Sequence, residues 1–151
     1  MNADNQANWP NSLIAIIGGA AATLIAALIT FPLMQATAEP YFELNFGVKD
    51  PGMSANDIIF LLIVTLWLAL AALAGGLVTA LICRSFHYRH AGVLIFLSLI
   101  FYGYIFSDSP RKGELIYIFL MLLCTTGGFL AGTSIGKRIS LKRKAKNQLL
   151  P

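Results

Sequence analysis

Ile58–Cys83 reads IIFLLIVTLWLALAALAGGLVTALIC, 26 consecutive residues without a charge. An uncharged apolar run longer than about 18 residues reads as a helix that crosses a bilayer. Leu115–Gly136 repeats the pattern with LIYIFLMLLCTTGGFLAGTSIG. Two further apolar stretches lie at 12–34 and 91–106, so the expectation is an all-α membrane protein, a four-transmembrane-helix bundle with spans at about 12–34, 57–83, 91–106 and 115–136. The 16 residues of the third reach only about 24 Å, so that helix must borrow neighbours to complete a crossing. The second, at roughly 40 Å, exceeds a 30 Å hydrocarbon core and must tilt or emerge.

Composition supports the same solvent. The chain is 57% hydrophobic and 12% charged, about half the charge of a typical soluble domain. That is too few charges to coat a water-facing surface. Its 151 residues suffice for one domain, 1–151. The net charge of +4 does not point to nucleic acid. The excess sits in one short turn and one tail beside membrane helices, where it is a topology signal. With four spans, the N-terminus, the 84–90 turn and the C-terminus share a side. That side holds eight basic residues against three, Lys49, Arg111 and Lys112, on the other. The positive-inside rule then gives N-in, C-in. Six of the seven acidic residues fall outside, with only Asp4 inside.

Ala36-Thr37-Ala38 resembles a small-x-small signal cleavage site, but no Lys or Arg precedes Ser12 and the apolar run exceeds a usual signal core. The first span therefore reads as an uncleaved anchor. Pro32 is expected to bend or end it. In the outer loop 35–56, Phe42, Leu44, Phe46 and Val48 alternate with polar or small residues, an extended segment resting on the headgroups or docking a partner. Ser54 with Asp57 forms a capping pattern for the second span. Ser109-Pro110 reads as a cap with proline in the first helical position. The tail 137–151 is basic and is expected to fray or lie on the membrane. Gly75-Gly76 and Gly127-Gly128 sit in corresponding places in spans two and four, the pattern of two parallel helical-hairpin repeats.

The most specific motif is Gly128-xxx-Gly132-xxx-Gly136, a glycine face that lets a second backbone approach closely. Span two offers Ala69, Ala72, Gly76, Ala80 and Cys83, and span one Ala15, Gly19, Ala22 and Ala26. Spans one, two and four are thus expected to pack closely, and the third to face lipid. The glycine set Gly76, Gly128, Gly132 and Gly136 serves either helix packing or a subunit interface, with the fourth span's stripe as the partner-binding face. Trp67 lies near mid-membrane and needs an acceptor for its indole N–H. Tyr102 is expected in an outer aromatic belt.

No ionisable residue lies deep in a span, unlike most proton-coupled carriers. The best binding candidates are the cations and imidazoles of the turn, Arg84, His87, Arg89 and His90, with Lys137 and Arg138 of the tail. They suit anionic phospholipid headgroups or a partner subunit. Two histidines, even with Cys83 four residues from His87, make a weak metal signal. Cys83 and Cys124 lie roughly 16 Å apart in depth, too far for a bridge that needs alpha carbons within about 7 Å. No nucleophile–base pair, phosphate loop or cofactor motif stands out. The functional expectation is a non-enzymatic accessory or assembly subunit of a larger complex in a bacterial inner membrane. It would bind other membrane subunits, or itself, through small-residue helix faces. The alternative is a small homo-oligomeric transporter or channel with Thr23, Thr79, Thr125 and Thr133 around a wet axis.

Overall fold

The computed structural model describes residues 9–41, 55–83, 87–105 and 114–148. They form four helices: α1 (Trp9–Ala38), α2 (Ala55–Ile82), α3 (His87–Ile105) and α4 (Glu114–Gln148), with a 3-10 turn at Glu39–Tyr41 after α1. Asn11–Tyr41 (most of α1 with its 3-10 turn), Ile58–Ile82 in α2 and Ile118–Arg143 in α4 are long and apolar enough to cross a membrane. Among the described helices α3 is the one outside that set. It opens on His87, Arg89 and His90, which dilute its apolar run.

Several boundaries differ from the sequence expectation. α1 continues past Met34 to Ala38 with Pro32 inside it. Proline leaves the Leu28 carbonyl without its helical donor, a loss that a helix this long absorbs. His87–His90, expected in the turn 84–90, form the first turn of α3. This addition lengthens α3 to 19 residues, or about 28 Å. The largest correction is the tail, in which residues 137–148 continue α4 instead of fraying or lying on the surface. Extending a formed helix avoids a new nucleation cost, and cations near its C-terminus complement the helix dipole. By helical spacing its basic residues fall on every side, leaving no apolar face to lie on a membrane. The alternating segment 42–48, Ser54 and Ser109-Pro110 lie outside the described residues.

The packing centre is α2, which lies between α1 and α4. Among the described residues α1 and α4 do not approach each other, so these helices form a row and not the mutually packed trio expected. α3 covers the row, chiefly against α4. Contact pairs give the directions. Gly19 meets Gly75 and Thr79 while Thr30 meets Trp67, so α1 and α2 are antiparallel. Gly128 meets Ala69 and Ala72, Gly132 meets Leu73 and Leu77, and Gly136 meets Ala80, so α2 and α4 are parallel. Tyr102 meets Thr125 and Tyr88 meets Lys137, so α3 and α4 are antiparallel.

The interior holds small and hydroxyl side chains: Ala15, Ala71, Ala72, Ala80, Ala91, Thr65, Thr79, Thr125 and Thr133 are buried. Leu24, Leu28, Leu62, Leu66, Phe96 and Phe101 point outward and are exposed. A water-soluble bundle places these types the other way round. Between helices in lipid there is no hydrophobic gain, so close backbone approach and satisfied polar groups hold the bundle. The threonines meet that need locally. Thr65, Thr79 and Thr125 donate to the carbonyls of Leu61, Gly75 and Met121, one turn back. Thr133 reaches across to Gly76 O at 3.4 Å.

Trp67 finds its acceptor in the same economy. Its Nε1 donates to Thr30 Oγ1 at 2.8 Å, and Thr30 donates on to Ala26 O at 2.6 Å. The Phe31 ring lies 6.0 Å away, tilted by 59°. Thr30→Val leaves the indole N–H unpaired in an apolar layer. The expected loss is about 0.6 and at most about 1.7 kcal/mol, the range for polar pairs between membrane helices. Equilibrium unfolding in detergent, run as a cycle with Trp67→Phe, isolates the coupling. Additive losses refute the bond.

Candidate functional site at the basic end of the bundle

The C-terminal end of α2, the start of α3 and the residues after Gly136 in α4 meet at one end of the bundle. Cys83 closes α2 by donating its N–H to Thr79 O at 2.9 Å. Its sulfur lies 3.3 Å from His90 Nδ1 and 3.9 Å from Nε2. Both side chains are buried, Cys83 at 5% and His90 at 8% relative exposure. The thiol–imidazole contact clamps the end of α2 to the first turn of α3. His87, the histidine singled out beside Cys83 from spacing, is half-buried on the same turn. No sequence signal marked Cys83 with His90, because their contact depends on how the first turn of α3 packs beside the end of α2.

Lys137 lies with Nζ 5.3 Å from the centroid of the Tyr88 ring, within the range of a cation–π contact. This contact fixes the level of α4 against α3 and brings a cation of one helix to the first turn of the other. Arg89, Lys137 and Arg138 are exposed, and Tyr88 is 48% exposed. Arg84 lies outside the described residues. Among the described residues no three of His, Cys, Asp and Glu gather as a metal site. Cys83 and Cys124 are free thiols.

The glycine set lies elsewhere, along the contact between α2 and α4. A Cβ on Gly76 would strike the Phe129 backbone, one on Gly128 the Ala69 carbonyl, and one on Gly132 the Leu73 carbonyl. At Gly136 it would come 2.7 Å from Ala80 Cβ and 2.8 Å from Leu77 O. The glycine face of α4 is therefore occupied inside the chain. The two glycine pairs also differ. Gly75 faces α1 at Gly19 and Gly76 faces α4, so consecutive residues serve two neighbours. In the other pair Gly128 faces α2, whereas Gly127 has nothing within 4 Å.

Tyr102 is buried and shares a 3.2 Å hydrogen bond with Thr125, so it belongs to the α3–α4 contact and not to an outer belt. No protein-family model, curated protein or solved structure matches this chain.

Proposed function

We propose that this chain is a non-enzymatic accessory or assembly subunit of a larger complex in a bacterial inner membrane. In this reading all four helices cross the bilayer, α3 completing its crossing with flanking residues, and both termini face the cytoplasm. The excess of basic residues at one end supports that orientation.

One observation carries the subunit reading. After α4 has packed its glycine face on α2, a second small-residue stripe remains: Cys124, Gly127, Ala131 and Ser134, at the i, i+3, i+7, i+10 spacing of a helix seam. Gly127 faces open space and Ala131 is exposed. The notable departure from the sequence expectation is the stripe used. The partner surface is the Gly127 side of α4, and the Gly128 side holds the monomer together. Small residues on a lipid-facing surface offer close backbone approach to another membrane helix. The hydroxyls of Thr23, Thr79, Thr125 and Thr133 all bond to backbone of their own chain, which favours a subunit over a threonine-lined pore.

The test compares tagged wild type with Gly127→Leu after extraction in mild detergent. Wild type is expected to elute with another membrane polypeptide. Gly127→Leu is expected to elute alone with an unfolding midpoint at or above that of wild type, because an added Cβ meets nothing in the monomer and leucine favours a helix over glycine. Wild type eluting as a lone monomer refutes the reading, as does a variant that keeps its partner.

A further inference from the structure

α4 outruns the two helices it packs on. Gly136 meets Ala80 of α2, and α2 ends soon after, at Ile82. Tyr88, in the first turn of α3, meets Lys137. Both neighbours therefore reach only to about the level of residue 138, while α4 continues to Gln148. At the rise of an α-helix the surplus is about 15 Å. Leu141, Lys142, Arg143 and Ala145 on this surplus are exposed.

The surplus reaches past the lipid. With α4 across the bilayer, the hydrocarbon ends where the uncharged run ends, at Gly136. The headgroup layer adds about 5–7 Å, which helical rise covers by about residue 141. The chain then reads Lys142-Arg143-Lys144-Ala145-Lys146, four cations in five residues. No Asp or Glu follows Glu114, so this tip carries one sign of charge. Lys142 and Lys146 are a helical turn apart, the spacing at which like charges repel. A partner that brings carboxylates relieves that repulsion. We propose that the projecting tip of α4, Lys142 to Lys146, docks an acidic segment, rich in Asp and Glu, of a protein in the aqueous phase on that side of the membrane.

Three sources of negative charge compete for the tip, and two fit it less well. Lipid phosphates lie below it, level with Lys137 and Arg138. Single-stranded nucleic acid is held by stacking of bases on aromatic side chains as well as by charge, and the sequence has no aromatic residue after Phe129. An acidic peptide needs neither headgroup depth nor a stacking platform. Lysine ammonium groups meet its carboxylates as point charges, from any direction. This docking goes beyond the membrane partner proposed for the Gly127 side of α4 and does not depend on it.

The experiment uses the full chain in phosphatidylcholine nanodiscs and a fluorescent oligoglutamate peptide, read by anisotropy. Wild type is expected to bind the peptide and to release it as salt is raised. The fourfold variant Lys142→Gln/Arg143→Gln/Lys144→Gln/Lys146→Gln should bind about tenfold more weakly or worse, the combined effect of four exposed ion pairs. Lys137→Gln/Arg138→Gln should lose less than about threefold, since those cations stand at headgroup level. The exchange Lys142→Arg/Arg143→Lys/Lys144→Arg/Lys146→Arg keeps every charge and should keep the peptide, separating loss of charge from loss of fold. Retention of phosphatidylglycerol in detergent, read by native mass spectrometry, should be the same for wild type and the fourfold variant. No binding by wild type, or equal weakening by the two neutralised sets, overturns the docking site. Tighter binding of a single-stranded oligouridylate of equal charge overturns the peptide assignment in favour of nucleic acid. Loss of phosphatidylglycerol from the fourfold variant overturns it in favour of the membrane surface.

Discussion

Gly132→Leu is expected to part α2 from α4 and lower the stability of the bundle by about 3 kcal/mol or more, the upper range for overpacking. A Cβ at this position runs into the Leu73 carbonyl and comes 2.8 Å from the Leu77 nitrogen. These are backbone atoms of a facing helix, so no rotamer change relieves the clash and the helices themselves must separate. Separation also strains the neighbouring contacts at Gly128 and Gly136, and the 3.4 Å bond from Thr133 to Gly76 O. Gly132→Ala tests the sign of the effect. Alanine favours a helix over glycine by about 1 kcal/mol, so an argument from propensity predicts stabilisation. Close packing predicts loss, because the methyl group alone makes the clash. Thermal unfolding in detergent decides between them, with Gly127→Leu as the control whose side chain enters open space. An unfolding midpoint for Gly132→Leu equal to that of wild type refutes the packing account.

Phe129→Ala is expected to cost a similar amount, about 3–5 kcal/mol by analogy with buried phenylalanines elsewhere. Phe129 is 2% exposed and is among the largest fully enclosed side chains. Its backbone abuts Gly76 while its ring reaches Gly75, with Cε1 3.1 Å from where a Cβ on that glycine would stand. It clusters with Ala72 of α2 and Leu94 of α3, and Ile16 of α1 packs against the group. Phe129 thus lies where α4 meets α2 and α3, with α1 at the edge of the cluster. Removing the ring leaves a cavity bordered by the Gly75 backbone, Ala72 and Leu94. The expected readout is a lower unfolding midpoint together with faster maleimide labelling of Cys83, whose burial depends on α3 remaining docked. Phe129→Leu should recover part of the midpoint. If labelling of Cys83 stays at the wild-type rate while the midpoint falls, the loss is local and Phe129 does not hold α3 in place.

Much of this architecture was legible from residues that act locally. The uncharged runs marked α2 and α4, and the glycines at every fourth residue, 128, 132 and 136, marked the side of α4 that meets another backbone. Trp67 advertised its need for an acceptor, though not that Thr30 would supply it. The helical tail was not legible, because a lysine-rich stretch looks frayed on composition alone. Its helicity is inherited from the apolar helix it extends. In the sequence His90 groups with the basic residues of the turn, but its burial against Cys83 depends on where α3 starts.

The opening stretch 58–83 by itself determined the solvent, the approximate length of the helix and the presence of a small-residue face, because each follows from side-chain type and from the fixed rise and turn of an α-helix. It did not determine which neighbour each glycine meets. In lipid every apolar face is equally content, so hydrophobicity cannot choose between partners. That choice rests on backbone-to-backbone fit in three dimensions. Only the tertiary structure divided Gly75 from Gly76 between two helices, used the Gly128 side of α4 within the chain, and left the Gly127 side open.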